Sequence, residues 1–238
     1  MAEVLAEIEN FSFRYHGSRS YAVKNVSIVL RGGEYVLLTG PSGCGKSTLC
    51  RALNGLIPHF YRGEYKGSVI VAGHYVPETP TYVLARHVGM VFQNPENQLF
   101  LSSVEREIAF GLENLGLAES EIERRVKWAL RFFSLEELKD KPPYILSGGQ
   151  QQKVAIASAV VMEPEVLILD EPTANLDPLS AEDILSLLET LRRDRGIAIV
   201  LVEHRLEIAL RYATRLIVMH DGEVISDSDP RDVVLSEA

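Results

Sequence analysis

The sequence predicts an α/β fold, and three observations carry that prediction. A short run that is apolar almost throughout, YVLLT at 35–39, meets a glycine-rich turn and then a helical pattern. From Val166 onward, apolar strand-like runs alternate with helical stretches. Between Asn94 and Leu146 the strand pattern stops and helical periodicity takes over. A chain of 238 residues suits one large domain, or a core with a subdomain.

Taken in order, Phe11, Phe13 and Tyr15 alternate with Ser12 and Arg14, a strand pattern, and a second strand is expected over Val26 to Leu30. Arg31-Gly32-Gly33 turns the chain into Tyr35–Thr39, which reads as a strand buried on both faces. Helical periodicity follows Lys46, and Val69–Val71 and Val88–Phe92 return to strand. In the helical stretch, Val104, Ile108, Leu112 and Leu115 share one face, and Ile122, Val126, Ala129, Leu130 and Phe133 share another. Pro142-Pro143 breaks the chain just before a glycine pair. VLILD, a helix over Ser180 to Arg195, IAIVLVEH, a short helix and RLIVMHDG complete the alternation. The expected organisation is one domain over 1–238, with a core of about 1–93 and 162–238 and a helical subdomain of about 94–161.

Composition narrows the function. Hydrophobic residues make up 46% and charged residues 24%, the ordinary globular balance. The net charge of −9 argues against nucleic acid as a partner, since gripping that backbone takes many Lys and Arg contacts. Cys44 and Cys50 face differently near one helix start and are expected to stay unpaired, which fits a reducing compartment. The opening MAEVLAEIEN carries acids where a signal peptide has a basic and then an apolar region. No run of roughly 18 or more apolar residues occurs, so a role at a membrane must come through another chain.

The strongest chemical signal is GPSGCGKST: Gly40, Pro41, Ser42, Gly43, Cys44, Gly45, Lys46, Ser47 and Thr48. It matches G-x-x-x-x-G-K-[ST] between a strand and a helix, the context that separates a phosphate loop from a plain glycine turn. Its glycines let backbone N–H groups curl around an anion, and the helix N-terminus adds its dipole. Lys46 supplies a charge for the outer phosphates, and the Ser47 hydroxyl can ligate Mg²⁺.

A second signal is VLILDEP, where an apolar strand ends in Asp170 and Glu171 and Pro172 stops it. Alone, either acid reads as a loop or capping carboxylate. Beside a phosphate loop, Asp170 suits Mg²⁺ and Glu171 suits a general base for an attacking water. The third is LSGGQQQK. Ser147-Gly148-Gly149-Gln150 forms an S-x-x-Q capping box, which by itself means a well-started helix. Two glycines in it cost helix propensity and leave N–H groups open, a second anion-binding helix start.

Together these motifs resemble the ATP-binding cassette (ABC) ATPases, in family order from about Tyr15 to Asp221. The resemblance implies a P-loop NTPase (RecA-like) core with an antiparallel β subdomain and an inserted helical subdomain. It implies ATP and Mg²⁺ as ligands, and two cassettes packed head to tail with the nucleotides between them. On that pattern Ser147 and Gly149, in the signature with Gly148 and Gln150, contact the γ-phosphate held by the partner cassette. Asn175-Leu176-Asp177 resembles the D-loop that crosses the interface, with Asp177 among the nucleotide-contacting residues. His204 resembles the switch histidine, here within Glu203-His204-Arg205 where many cassettes have Thr-His-Asp. Tyr15 resembles the aromatic that stacks on adenine, although its strand face also suits core packing. Gln93 resembles the glutamine that reaches both Mg²⁺ and water.

The resemblance also sets the expected work. Repair and chromosome types separate their halves by a long coiled coil, and the stretch from Gln93 to Ser147 is too short for one. Ribosome-associated types usually carry two cassettes in one chain, where this sequence shows one, so a transporter motor is expected ahead of a soluble ABC ATPase of DNA repair or translation type. FQNPENQLF together with the signature region looks most like the ATPases of energy-coupling factor importers, the cobalt and vitamin uptake group. That group implies a second ATPase subunit, an integral membrane coupling subunit and a cargo-binding membrane subunit, at the cytoplasmic face of the cell membrane. Leu99 and Phe100 are expected either to line a groove for a short helix of the membrane subunit or to pack inside the helical subdomain.

Overall fold

The computed structural model describes residues 2–235. Its ten strands are β1 (Val4–Tyr15), β2 (Val23–Arg31), β3 (Tyr35–Thr39), β4 (Gly63–Val71), β5 (His74–Tyr75), β6 (Val88–Val91), β7 (Val166–Asp170), β8 (Ala198–Val202), β9 (Arg215–His220) and β10 (Glu223–Ser228). Its helices are α1 (Lys46–Leu53), α2 (Leu56–His59), α3 (Thr81–Leu84), α4 (Val104–Asn114), α5 (Glu119–Phe132), α6 (Gly148–Val160), α7 (Pro178–Arg195), α8 (Leu206–Ala209) and α9 (Pro230–Leu235).

The strands form two sheets. One runs in the order β10-β9-β3-β8-β7-β6, parallel except for β10, and the other is antiparallel in the order β2-β1-β4-β5. Every residue of β3, β7 and β8 is buried, as their unbroken apolar runs require of a sheet covered on both sides. Alternation then divides the core. Tyr35, Leu37, Leu167, Leu169, Ile199 and Leu201 face α4 to α7, whereas Val36, Leu38, Val166, Ile168, Val200 and Val202 face α1 and the antiparallel sheet.

The helical faces carry the residues their spacing indicated. Val104, Ile108 and Leu112 of α4 are buried, as are Val126, Ala129 and Leu130 of α5 and Phe133 just beyond it. Leu115 and Ile122 are half-buried. The long helix starts at Pro178, earlier than Ser180, because Asp177 caps it and proline suits the first helical position.

β1 is longer than the 11–15 alternation indicated. Its buried residues change phase, from Ala6 and Ile8 to Phe11 and Phe13, at a bulge where Asn10 has φ 50°. Opposite the bulge, a Cβ on Gly67 would lie 2.4 Å from the carbonyl oxygens of Glu9 and Asn10, so only glycine fits. The phase change hides the first half of the strand from a period-2 reading. β5 and β10 were not anticipated either. Both are edge strands, and β10 alternates only between exposed and half-buried, which leaves little apolar signal.

Candidate functional site

The C-terminal ends of four parallel strands meet at one edge of the larger sheet, the usual place for a ligand in such folds. β3 delivers the glycine loop, β6 delivers Gln93, β7 delivers Asp170 and Glu171, and β8 delivers Glu203 and His204.

In the loop, Lys46 is buried and its Nζ donates to the carbonyls of Gly40 at 2.7 Å and Pro41 at 3.0 Å. Cys44 and Cys50 are buried and unpaired, in agreement with the sequence reading. Tyr15, Ala22, Ser42, Gly43, Gly45, Lys46, Ser47, Thr48 and Glu171 line a cavity of about 290 Å³. Tyr15 thus continues the face of Phe13, edge-on at 5.0 Å, and still reaches the site. Its hydroxyl lies 3.0 Å from Thr48 Oγ1 and accepts from Arg51 at 3.1 Å.

Glu171 is the meeting point of three elements. Its φ is 52°, a left-handed conformation that costs a non-glycine residue energy. Its N–H donates to Val202 O at 2.9 Å, which ties that conformation to β8. Gln93 Nε2 donates to Glu171 Oε2 at 2.8 Å, and His204 Nε2 lies 3.0 Å from Oε1. These residues are distant in sequence, and both amide and imidazole end on the same carboxylate.

Asp170 is mostly buried, and its pKa is raised, chiefly by that desolvation. The Ser47 hydroxyl beside it opposes the shift. A buried carboxylate beside a serine hydroxyl is a donor set that suits Mg²⁺, which keeps several waters and takes few protein ligands. Among the described residues no cluster of three or more His, Cys, Asp or Glu could hold a metal, so a closed cage of the zinc type is not what the site offers.

The signature residues stand apart from that cavity. Ser147 caps α6, its hydroxyl accepting from Gln150 N at 3.4 Å while Gln150 Oε1 accepts from Ser147 N at 3.0 Å. A Cβ on Gly148 or Gly149 would have its nearest neighbour at 3.7 or 3.5 Å, ordinary contact distances. Asp177 does not line the cavity. Its carboxylate accepts from the N–H groups of Leu179 and Ser180, both at 3.0 Å, and from the Ser180 hydroxyl at 2.5 Å. The Ser180 bonds hold its pKa below the usual value.

The segment VFQNPENQLF is shaped by two side chains that the sequence reading did not single out. Gln98 accepts from Phe92 N at 2.8 Å and donates to Met90 O at 3.2 Å. The buried Glu107 accepts from the N–H groups of Phe100 at 3.0 Å and Leu101 at 2.7 Å. A buried acid on the apolar side of α4 was the available signal. Leu99 is half-buried against the core, and Phe100 is 67% exposed, edge-on to Phe110 at 5.2 Å. Both line an open groove of about 560 Å³ with Tyr82, Arg86, Met90 and Met162.

Comparison with known proteins places this geometry. Residues 23–174 match the family model described as ABC transporter. A protein of Pyrococcus horikoshii that carries the name ABC transporter ATP-binding protein is 46% identical, over 95% of this chain and 80% of its own length. A Methanosarcina mazei relative of the same description is also 46% identical over 99% of this chain, which spans only 40% of that protein. Among solved structures, CbiO1 of Clostridium perfringens, part of the ABC transporter complex cbiONQ, superposes with a TM-score of 0.89 at 36% identity. That match covers 99% of this chain and 92% of CbiO1. The ATP-binding cassette MJ0796, a post-hydrolysis dimer bound to ADP and Pi, gives 0.82 at 30% identity, over 95% of this chain and 99% of its own.

Proposed function

The chain belongs to the ABC transporter family as an ATP-binding, ATP-hydrolysing subunit, and on that premise we propose that it is the motor of an energy-coupling factor importer. The observation that carries the catalytic half is the convergence of Gln93 and His204 on Glu171. In this reading Glu171 orients and deprotonates the attacking water, and Gln93 and His204 hold that carboxylate and the water in place. Lys46 and the loop N–H groups of Gly40 to Thr48 cradle the phosphates, and Tyr15 supports the adenine. Ser47, Asp170 and Gln93 are the residues that would hold Mg²⁺, which would supply positive charge beside the phosphates.

Dimer action is supported by the signature glycines. Nothing among the described residues crowds Gly148 or Gly149, so their cost to α6 is explained by something that approaches from outside. A partner cassette's nucleotide fits that role, with Asp177 and its loop at the crossing point. ATP then favours the closed pair, and loss of the γ-phosphate lets it open. We assign 94–161 as the helical subdomain of a single cassette.

The importer half rests on FQNPENQLF, on the likeness to CbiO1, and on the Phe100 groove. No helix among the described residues is long and apolar enough to cross a membrane, so coupling needs an integral membrane subunit. The groove suits a short helix from that subunit. A second ATPase subunit and a cargo-binding membrane protein complete the assembly at the cytoplasmic face, and the cargo is a metal ion or vitamin. The test is copurification in mild detergent from cells carrying wild type or Phe100→Ala. Wild type should bring down membrane subunits, and Phe100→Ala should lose them while binding ATP normally. Full assembly by the variant would remove the groove from the reading.

A further inference from the structure

We propose that Glu203 is a positioning residue whose carboxylate aims His204 at Glu171 and ties the loop that carries His204 to Thr173, in the loop that carries Glu171. This rests on the reading of Glu171 and His204 given above. Glu203 is only 2% exposed at the end of the wholly buried β8. Its Oε1 accepts from the N–H groups of His204 at 2.8 Å and Arg205 at 3.2 Å. Its Oε2 accepts from the Thr173 hydroxyl, two residues past Glu171. Its carbonyl accepts from Thr39 Oγ1 at 3.2 Å, immediately before the glycine loop. Arg205 in turn donates to Leu176 O at 3.0 Å.

The chemistry of those contacts argues for a purpose beyond filling space. An apolar side chain would fill the volume without desolvating a carboxylate. The groups that donate to the Glu203 carboxylate are neutral, two backbone N–H groups and a hydroxyl, and the N–H groups belong to the switch loop itself. One carboxylate thereby sets the backbone of His204, whose imidazole is half-exposed and meets Glu171. Glutamine can keep this pattern: its carbonyl serves the two N–H groups and its amide donates to Thr173, whose hydroxyl can rotate to accept. Methionine matches the volume and serves none of them.

The test compares Glu203→Gln, Glu203→Met, His204→Ala and the Glu203→Met/His204→Ala double variant in the full chain. It reads kcat and KM for MgATP, thermal unfolding, and the ¹⁵N resonances of the His204 ring. Glu203→Gln should stay within about 3-fold of wild-type kcat. Glu203→Met should lose roughly 10- to 100-fold in kcat with little change in KM, the scale of a misplaced catalytic group. The double variant should be no slower than His204→Ala, because the two act through one group. In the nucleotide-free chain, Glu171→Gln should shift the His204 Nε2 resonance in wild type and leave it unmoved in the Glu203→Met background. Wild-type kcat in Glu203→Met, multiplied losses in the double variant, or an undisturbed Glu171–His204 coupling overturns the proposal. Should Glu203→Met fail to fold, Thr173→Val, which removes one donor, takes its place, with a loss of about 3-fold in kcat expected and none overturning it. Wild-type turnover by His204→Ala would sink the switch reading alone, since the ring resonance still reports whether Glu203 positions it.

Discussion

Helices α1 and α6 both begin at glycines, and they begin in opposite ways. α1 has no side-chain cap; Gly45 stands before it at φ 109°, and its first turn holds no acid. Its glycines are demanded by the chain itself. A Cβ on Gly40 would lie 2.0 Å from Met219 O, and one on Gly45 would lie 2.3 Å from Ala22 O. α6 carries a complete capping box, and a Cβ at either of its glycines would find room. The phosphate loop is therefore built by intrachain packing. The signature is a stable helix start whose glycines cost roughly 1 kcal/mol each and gain nothing from their own chain. The contrast is that the first loop needs its glycines for its own packing, whereas the second has room for a Cβ at both of its glycines.

The comparison can be tested at several points. The largest effect is expected at the chemical end: Glu171→Gln should lower turnover by roughly 10²- to 10⁴-fold, bind ATP, and accumulate as a dimer on gel filtration. Retained turnover would remove the base assignment. Next, Lys46→Ala should weaken ATP binding by about 10- to 100-fold in calorimetry, since the lost contact is charge-assisted. The two glycine positions then give a direct contrast. Gly45→Ala should destabilise the chain by about 1–3 kcal/mol in urea unfolding, because backbone must move. Gly149→Ala should leave stability unchanged or raise it by about 0.5–1 kcal/mol, yet lower turnover. Equal destabilisation by both would erase the distinction. At the cap, Ser147→Ala should cost about 0.5–2 kcal/mol of stability and leave ATP affinity at the first site intact.

The parts legible in sequence are those whose cause is local. YVLLT, the glycine loop and α1 are consecutive, so strand, turn and helix rules apply in series. VLILD ends where Pro172 ends it, and the S-x-x-Q spacing specified a cap that the structure forms. The unread parts depend on partners far along the chain. The first half of β1 is masked by the bulge at Asn10, which packs against the backbone of Gly67, far along the chain. Glu107 and Gln98 look like ordinary polar residues until folding places them against the backbone of 92 and 100–101. Glu203 was visible only as a departure from a common pattern, and its partners lie at Thr39 and Thr173.

By itself the sequence determined the α/β class, the phosphate loop, the paired acids and the capped signature helix, because each rests on residues within a few positions of one another. The tertiary structure alone decided that Gln93 and His204 share one carboxylate, and that Leu99 packs partly against the core while Phe100 stays exposed. Those outcomes depend on where the ends of β6, β7 and β8 come to rest, and strand order in a parallel sheet is set by long-range packing that no local pattern encodes.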